Sequence, residues 1–138
     1  MAYLLDTNVV SELRKKTPDP HVLAWYDREA GVDAYLSALV VGEIRQGIER
    51  VRPRDPRRAD ALDLWLSGLT MLYQDYILPV TVEIAAEWGR FNVPPRPPPV
   101  VDGLMAATAL VHRLTLVTRN VADVARTGVR VLNPFERR

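Results

Sequence analysis

Short apolar runs of β character alternate along the chain with longer stretches in which apolar residues recur at the helical period. That alternation predicts βα units built around a parallel sheet. Ala2-Tyr3-Leu4-Leu5 is the first strand-like run, and Thr7 to about Arg14 is the first short helix. Thr17-Pro18-Asp19-Pro20 breaks the chain before a second helix that carries Val22, Leu23, Trp25 and Tyr26. Residues 33–37 read as the second strand, inside the run Val32-Asp33-Ala34-Tyr35-Leu36-Ser37. A helix from about Leu39 to Val51 then sets Val40, Ile44, Gly47, Ile48 and Val51 in one stripe. After the break at Pro53-Arg54-Asp55-Pro56, a long helix gathers Leu62, Trp65, Leu66 and Leu69 on a single face. Ile77-Leu78-Pro79-Val80 is a short strand expected at a sheet edge, because Pro79 cannot donate to a ladder. A helix over about 82–91, a stiff extended connector at 94–99, an almost wholly apolar helix over 102–113 and strands at 114–118 and 129–132 complete the pattern.

With 138 residues the chain suits one domain, 1–138, with a core of its own. A formal net charge of +1 gives no global attraction to nucleic acid, so any such binding must come from local patches. The absence of cysteine excludes disulfides, zinc–thiolate sites, iron–sulfur clusters and thiol catalysis. The N-terminus enters a strand-like run directly, without the basic and apolar regions of a signal peptide. No apolar run approaches the roughly 20 residues that span a bilayer. The expectation is a soluble, cytoplasmic protein with no membrane partner.

The candidate chemistry lies in three carboxylates far apart in sequence. Asp6 closes the first strand, Glu43 follows the second, and Asp102 opens the apolar helix that begins Gly103-Leu104-Met105. Acidic groups gathered at strand ends repel one another, and a divalent cation is the usual stabiliser. Each also has a plainer reading: Asp6 and Asp102 as helix N-caps, and Glu43 as a solvated residue at the margin of its apolar stripe. Thr118, Arg119 and Asn120 emerge from the penultimate strand with Asp123 three residues on, and Thr118 and Arg119 are placed to hold a phosphate or a bound water. No glycine-rich phosphate loop of either common type occurs. The two histidines, His21 and His112, suit packing or surface roles, so activation of water would fall to a metal ion. A haloacid-dehalogenase-type site needs an Asp where Asn8 stands, and a receiver-type acidic pair is missing.

Taken together, Leu4-Leu5-Asp6-Thr7-Asn8-Val9-Val10-Ser11-Glu12-Leu13, Leu36-Ser37-Ala38-Leu39-Val40-Val41-Gly42-Glu43-Ile44-Arg45-Gln46-Gly47, Asp102-Gly103-Leu104-Met105-Ala106-Ala107-Thr108-Ala109 and Leu116-Val117-Thr118-Arg119-Asn120 resemble PIN-domain ribonucleases. More narrowly they resemble VapC toxins of the FitB-like branch, as does the closing Gly128-Val129-Arg130-Val131-Leu132-Asn133-Pro134-Phe135. The resemblance implies a PIN-like α/β fold, a three-layer α/β/α sandwich with a central parallel sheet of four to five strands. It implies a Mg²⁺-dependent endoribonuclease (Mn²⁺ as the alternative ion) that cleaves structured RNA, with Asp6, Glu43 and Asp102 as catalytic and metal-binding residues. Thr7, Asn8, Thr118, Arg119 and Asn120 would support the site or touch substrate. Many PIN domains have a fourth acid where this chain has Asn120, which leaves either a three-carboxylate site or a contribution from Asp123. The implied partners are an RNA substrate, a cognate VapB-like antitoxin that alone contacts DNA, and a second copy of the chain in a homodimer within a toxin–antitoxin hetero-oligomer. Basic substrate contacts would come from Arg45 and Arg119 and from Arg14, Lys15 and Lys16, with a solvated basic run the equal alternative for those three. Trp25, Tyr26, Trp65 and Leu69 are expected to fill the core, with an antitoxin helix in a surface groove as the alternative. The competing expectation is a catalytically silent module that binds RNA or an antitoxin without cleavage.

Overall fold

Five short strands, β1 (Tyr3–Leu5), β2 (Ala34–Ser37), β3 (Ile77–Leu78), β4 (Thr115–Val117) and β5 (Val131–Leu132), pair in parallel in the order β3-β2-β1-β4-β5. The computed structural model describes residues 1–30 and 33–136, so Val32 of the expected second strand lies outside the described residues. The helices are α1 (Thr7–Arg14), α2 (Pro20–Trp25), α3 (Ala38–Val51), α4 (Pro56–Leu72), α5 (Val82–Phe91), α6 (Val100–His112) and α7 (Val121–Val124). A single wide π-helical turn, Tyr26–Ala30, follows α2.

Strand order and handedness together assign the layers. From β1 the chain steps to β2 and then to β3 in one direction, so right-handed crossovers put α1 to α4 on one face. It then returns past β2 and β1 to β4 and continues outward to β5, which puts α5 to α7 on the other face. Helix contacts agree: α1 meets α2 and α3, α3 meets α4, and α6 meets both α5 and α7. The direction of travel reverses between β1 and β4. The carboxyl ends of those two strands therefore flank the switch point, where open α/β sheets bind their ligands.

The two central strands are buried along their whole length, as expected of parallel strands covered on both faces. Tyr3 meets the buried Trp25 edge-on, with ring centroids 5.1 Å apart, and this contact ties α2 to β1. On α3 the buried face is Val40, Ile44 and Ile48, whereas Gly47 is exposed and Val51 half-buried, so the expected stripe is narrower than the sequence suggested. β3 does lie at an edge, with Pro79 just beyond it. The proline segment is less extended than expected: it turns at 94–95 before α6 begins at Val100. Among the described residues, no helix is long and apolar enough to cross a membrane.

α6 starts at Val100, two residues ahead of the expected start, and carries Asp102 inside its first turn. Its course is set by a close approach to α5. A Cβ on Gly103 would stand 2.7 Å from Asn92 Oδ1 and 3.1 Å from Trp88 Cδ1. Gly103→Ala is therefore expected to destabilise the fold by about 1–3 kcal/mol, the usual cost of overpacking. A lower urea midpoint at unchanged m value would register this loss. Parental stability would mean that α5 and α6 have slack at this contact.

Candidate functional site

At the carboxyl end of β1, Asp6 both caps a helix and joins a side-chain network. Its Oδ1 accepts the Thr7 N–H at 2.8 Å, which begins α1. Its Oδ2 accepts the Thr118 hydroxyl at 2.8 Å across the switch point, with Asn8 Nδ2 at 3.4 Å. Thr118 Oγ1 in turn accepts from Asn8 Nδ2 at 3.2 Å and from the Asn120 N–H at 3.0 Å. A hydroxyl has one proton and two lone pairs, so Thr118 is fully engaged. It is only 1% exposed, which revises the expectation that it meets phosphate or water: it holds Asp6 instead. The Asn8 amide completes the link, because its Oδ1 accepts the Arg119 N–H at 3.2 Å.

Glu43 reaches the same region from α3. Thr7 donates its hydroxyl to Glu43 Oε1 at 2.5 Å, joining α1 to α3. Glu43 is thus half-buried and engaged, which replaces the solvated reading. Asp102 does not act as a cap: that position is Pro99, which has no side chain to bond, and no side-chain cap is made. Burial, followed by the negative charges of Asp6, Asp123 and Glu43, pushes the Asp102 carboxyl up to about 6. Asp6 is also raised, by burial that outweighs the hydrogen bonds from Thr118 and Thr7. Acids from three other segments therefore act on Asp102. Among the described residues, none of the four forms a salt bridge with Lys, Arg or His. Nor do any three His, Cys, Asp or Glu side chains form a ready-made metal-holding group. The acids share an electrostatic field without making a closed shell of ligands.

The remaining expected residues divide clearly. The Arg119 guanidinium lies 3.7 Å over the Phe135 ring and 4.0 Å from Glu12 Oε1. Glu12 is buried and bonded to Lys15 Nζ at 2.9 Å and the Asp19 N–H at 2.8 Å; the Lys15 bond is the main reason its carboxyl lies below the ordinary range. Glu12 and Phe135 thus support Arg119, a role that sequence reasoning did not assign to them. Asn120 sits at the start of α7 but makes no side-chain cap. Lys15 is taken up by Glu12, and Arg14 lies 5.6 Å over Trp65. Arg45 bonds to Asp63 and Glu49 in a surface network that also includes Arg52, so it is not free to meet substrate. His21 and His112 are both exposed. Trp25 is buried, whereas Tyr26, Trp65 and Leu69 line a groove of about 160 Å³ with Leu13, Leu72 and Tyr73.

The PIN domain family model matches residues 3–128. VapC ribonuclease Y4jK of Sinorhizobium fredii is 31% identical over 137 residues, spanning 96% of this chain and 97% of its own length. Toxin FitB of Neisseria gonorrhoeae is 33% identical, at 96% and 97%. A solved structure of FitAB bound to a DNA fragment superimposes with a TM-score of 0.88 at 30% identity, covering 99% of this chain and 97% of that one. By family model and full-length relatives alike, this chain belongs to the PIN-domain family.

Proposed function

We propose that this chain is the ribonuclease toxin of a type II toxin–antitoxin pair, cutting phosphodiester bonds of structured RNA with the help of a divalent cation at Asp6, Glu43 and Asp102. One observation carries the reading: carboxylates from separate segments meet at the switch point and act on Asp102, with no cationic side chain paired to them among the described residues. The ribonuclease and toxin names of its full-length relatives support it. An all-oxygen donor set suits a hard ion, and Mg²⁺ retains several waters while using only one or two carboxylates. Acids that are neighbours without forming a closed cage fit that habit, with Mn²⁺ as the alternative. When bound, the ion supplies Lewis acidity to water and phosphate. The protein's own part is positional. Thr118 and the Thr7 N–H fix Asp6, the Thr7 hydroxyl fixes Glu43, and the first turn of α6 brings in Asp102. Asp123 supplies the fourth negative charge in place of Asn120.

The partner in this reading is a VapB-like antitoxin. Two features of this chain suit one: the apolar groove among α1, the π-helical turn and α4, and a net charge of +1 that leaves DNA contact to the partner. A homodimer within the hetero-oligomer belongs to the same proposal.

The nuclease claim is tested with purified protein. Asn caps helices as well as Asp but binds hard cations poorly. Asp6→Asn and Asp102→Asn are expected to keep the parental circular dichroism while Mg²⁺-dependent RNA cleavage falls to background. Wild-type cleavage rates in either variant would sink the assignment, and a folded wild type that never cuts would favour the silent-module reading.

Protons and cations compete for these acids, which gives a stability test. The fold raises the Asp102 and Asp6 carboxyls above their ordinary value, so between about pH 4 and 6 the unfolded chain gives up these protons first. Metal-free stability from these groups therefore falls as pH rises through that window. The metal-free protein is expected to melt higher at about pH 5 than at about pH 7.5, with Mg²⁺ narrowing the gap and Asp102→Asn flattening it. A metal-free Tm that rises across the same interval would contradict the crowded-acid picture.

The groove generates one more expectation. Leu72 is 75% exposed at its rim. Leu72→Asp should leave RNA cleavage intact while weakening neutralisation by the cognate antitoxin on co-expression. Full neutralisation would place the partner elsewhere.

A further inference from the structure

A second cleft opens beside the acids, between the proline segment and the stretch from α7 to Thr127. It consists of two adjoining cavities of about 170 and 270 Å³ that share Arg96, Pro98 and Arg126 in their walls. Asp123 lines the larger cavity, and its charge is one of those acting on Asp102, so the cleft borders the carboxylate group directly. Among the described residues, neither Arg96 nor Arg126 takes part in an ion pair or side-chain hydrogen bond. These two free guanidinium groups come from different segments and face one cleft. They contrast with Arg45, Arg52 and Arg90, which are all paired to acids on the surface.

The surrounding chain favours an extended polyanion here. Five of the six residues from Pro94 to Pro99 are proline, so Arg96 stands on backbone whose φ angles are largely fixed. Proline rings offer apolar faces without N–H donors, suited to the sugar and base of a nucleotide, while guanidinium forks suit phosphate. A bare carboxylate edge repels phosphodiesters, and cations immediately beside it offset that repulsion for a strand crossing the site.

We propose that Arg96 and Arg126 form a nucleotide subsite that grips a backbone phosphate in an unpaired stretch of the RNA, adjacent to the phosphate cut at the acids. The inference rests on the nuclease reading for its substrate, but it concerns a different set of residues. The loop from Val93 to Pro99 is then a binding wall as well as a connector.

The test uses the full-length protein and a fluorescein-labelled single-stranded RNA. Binding is followed by anisotropy in EDTA at several salt concentrations, and cleavage kinetics are measured in Mg²⁺. Arg96→Gln and Arg126→Gln are compared with Arg57→Gln, which removes the same charge from α4 on the opposite face. Each cleft variant is expected to weaken RNA binding several-fold and to lower the slope of log K against log salt by about 0.7, one phosphate contact for a single strand. The double variant should raise KM about tenfold or more with kcat nearly unchanged, as for lost uniform binding. If the cleft variants behave like Arg57→Gln, the subsite is wrong even where the wild type cuts RNA, as it would be if the cleft serves an acidic peptide. If the wild type binds RNA through these arginines yet never cuts, the subsite stands and the nuclease reading falls. If it neither binds nor cuts, both fall.

Discussion

The structure depends on holding like charges together at the one place where its topology turns round. Asp6 leaves β1 beside the end of β4, and the Thr118 hydroxyl bridges the two strands by donating to it. Without that neutral donor, Oδ2 of a buried carboxylate at the switch point would be left with only the 3.4 Å contact from Asn8, a costly state for a buried polar group. Asp102, Glu43 and Asp123 add charge to the same region. Among the described residues, the fold answers this crowding only with hydroxyls, an amide and backbone N–H groups. Such donors orient carboxylates without neutralising them.

Capping and chemistry are therefore not rival explanations of Asp6. One oxygen starts α1 through the Thr7 N–H, and the other is fixed by Thr118. Thr7 shows the same economy, since its N–H serves Asp6 while its hydroxyl holds Glu43. The four residues from Leu5 to Asn8 thus carry a strand end, a helix start and four long-range hydrogen bonds, to Glu43, Thr118 and Arg119. A substitution here disturbs local structure and site geometry together, which is why the Asn replacement, keeping shape and capping, isolates charge.

Much of the fold was legible because its boundaries are chemical. Thr7–Arg14 and Val82–Phe91 lie where the residue pattern put them, each behind a side chain able to cap, and α4 begins directly after a proline-marked break. α6 was misplaced by two residues because Pro99 caps nothing, so the polar signal of Asp102 was taken for a beginning. The exposure of Gly47 was hidden because period alone does not fix how wide a buried stripe is. Thr118 and Arg119 do follow a strand end, but the burial of Thr118 and the supports of the exposed Arg119 depend on Asn8, Glu12 and Phe135, contacts made across long sequence separations. Arg96 was unreadable for the same reason. Its significance comes from Arg126 and Asp123, which only the fold brings to it.

The distribution of charge argues that the unpaired acids are not an accident of composition. With 18 basic and 17 acidic residues, the chain has enough cations to match its anions. On the outer surface it does so: Arg52 bonds to Glu49, Asp60 and Asp63, and Arg45 to Glu49 and Asp63. Exposed pairs of that kind typically contribute only about 0.2–1 kcal/mol each. Pairing is thus spent where it matters least to stability and withheld at the switch point, where one arginine beside Asp102 would relieve far more repulsion. Arg119 comes near this edge, yet it is directed to Glu12 and Phe135. Leaving the acids uncompensated costs the isolated fold stability, and the divalent cation proposed above would offset that penalty.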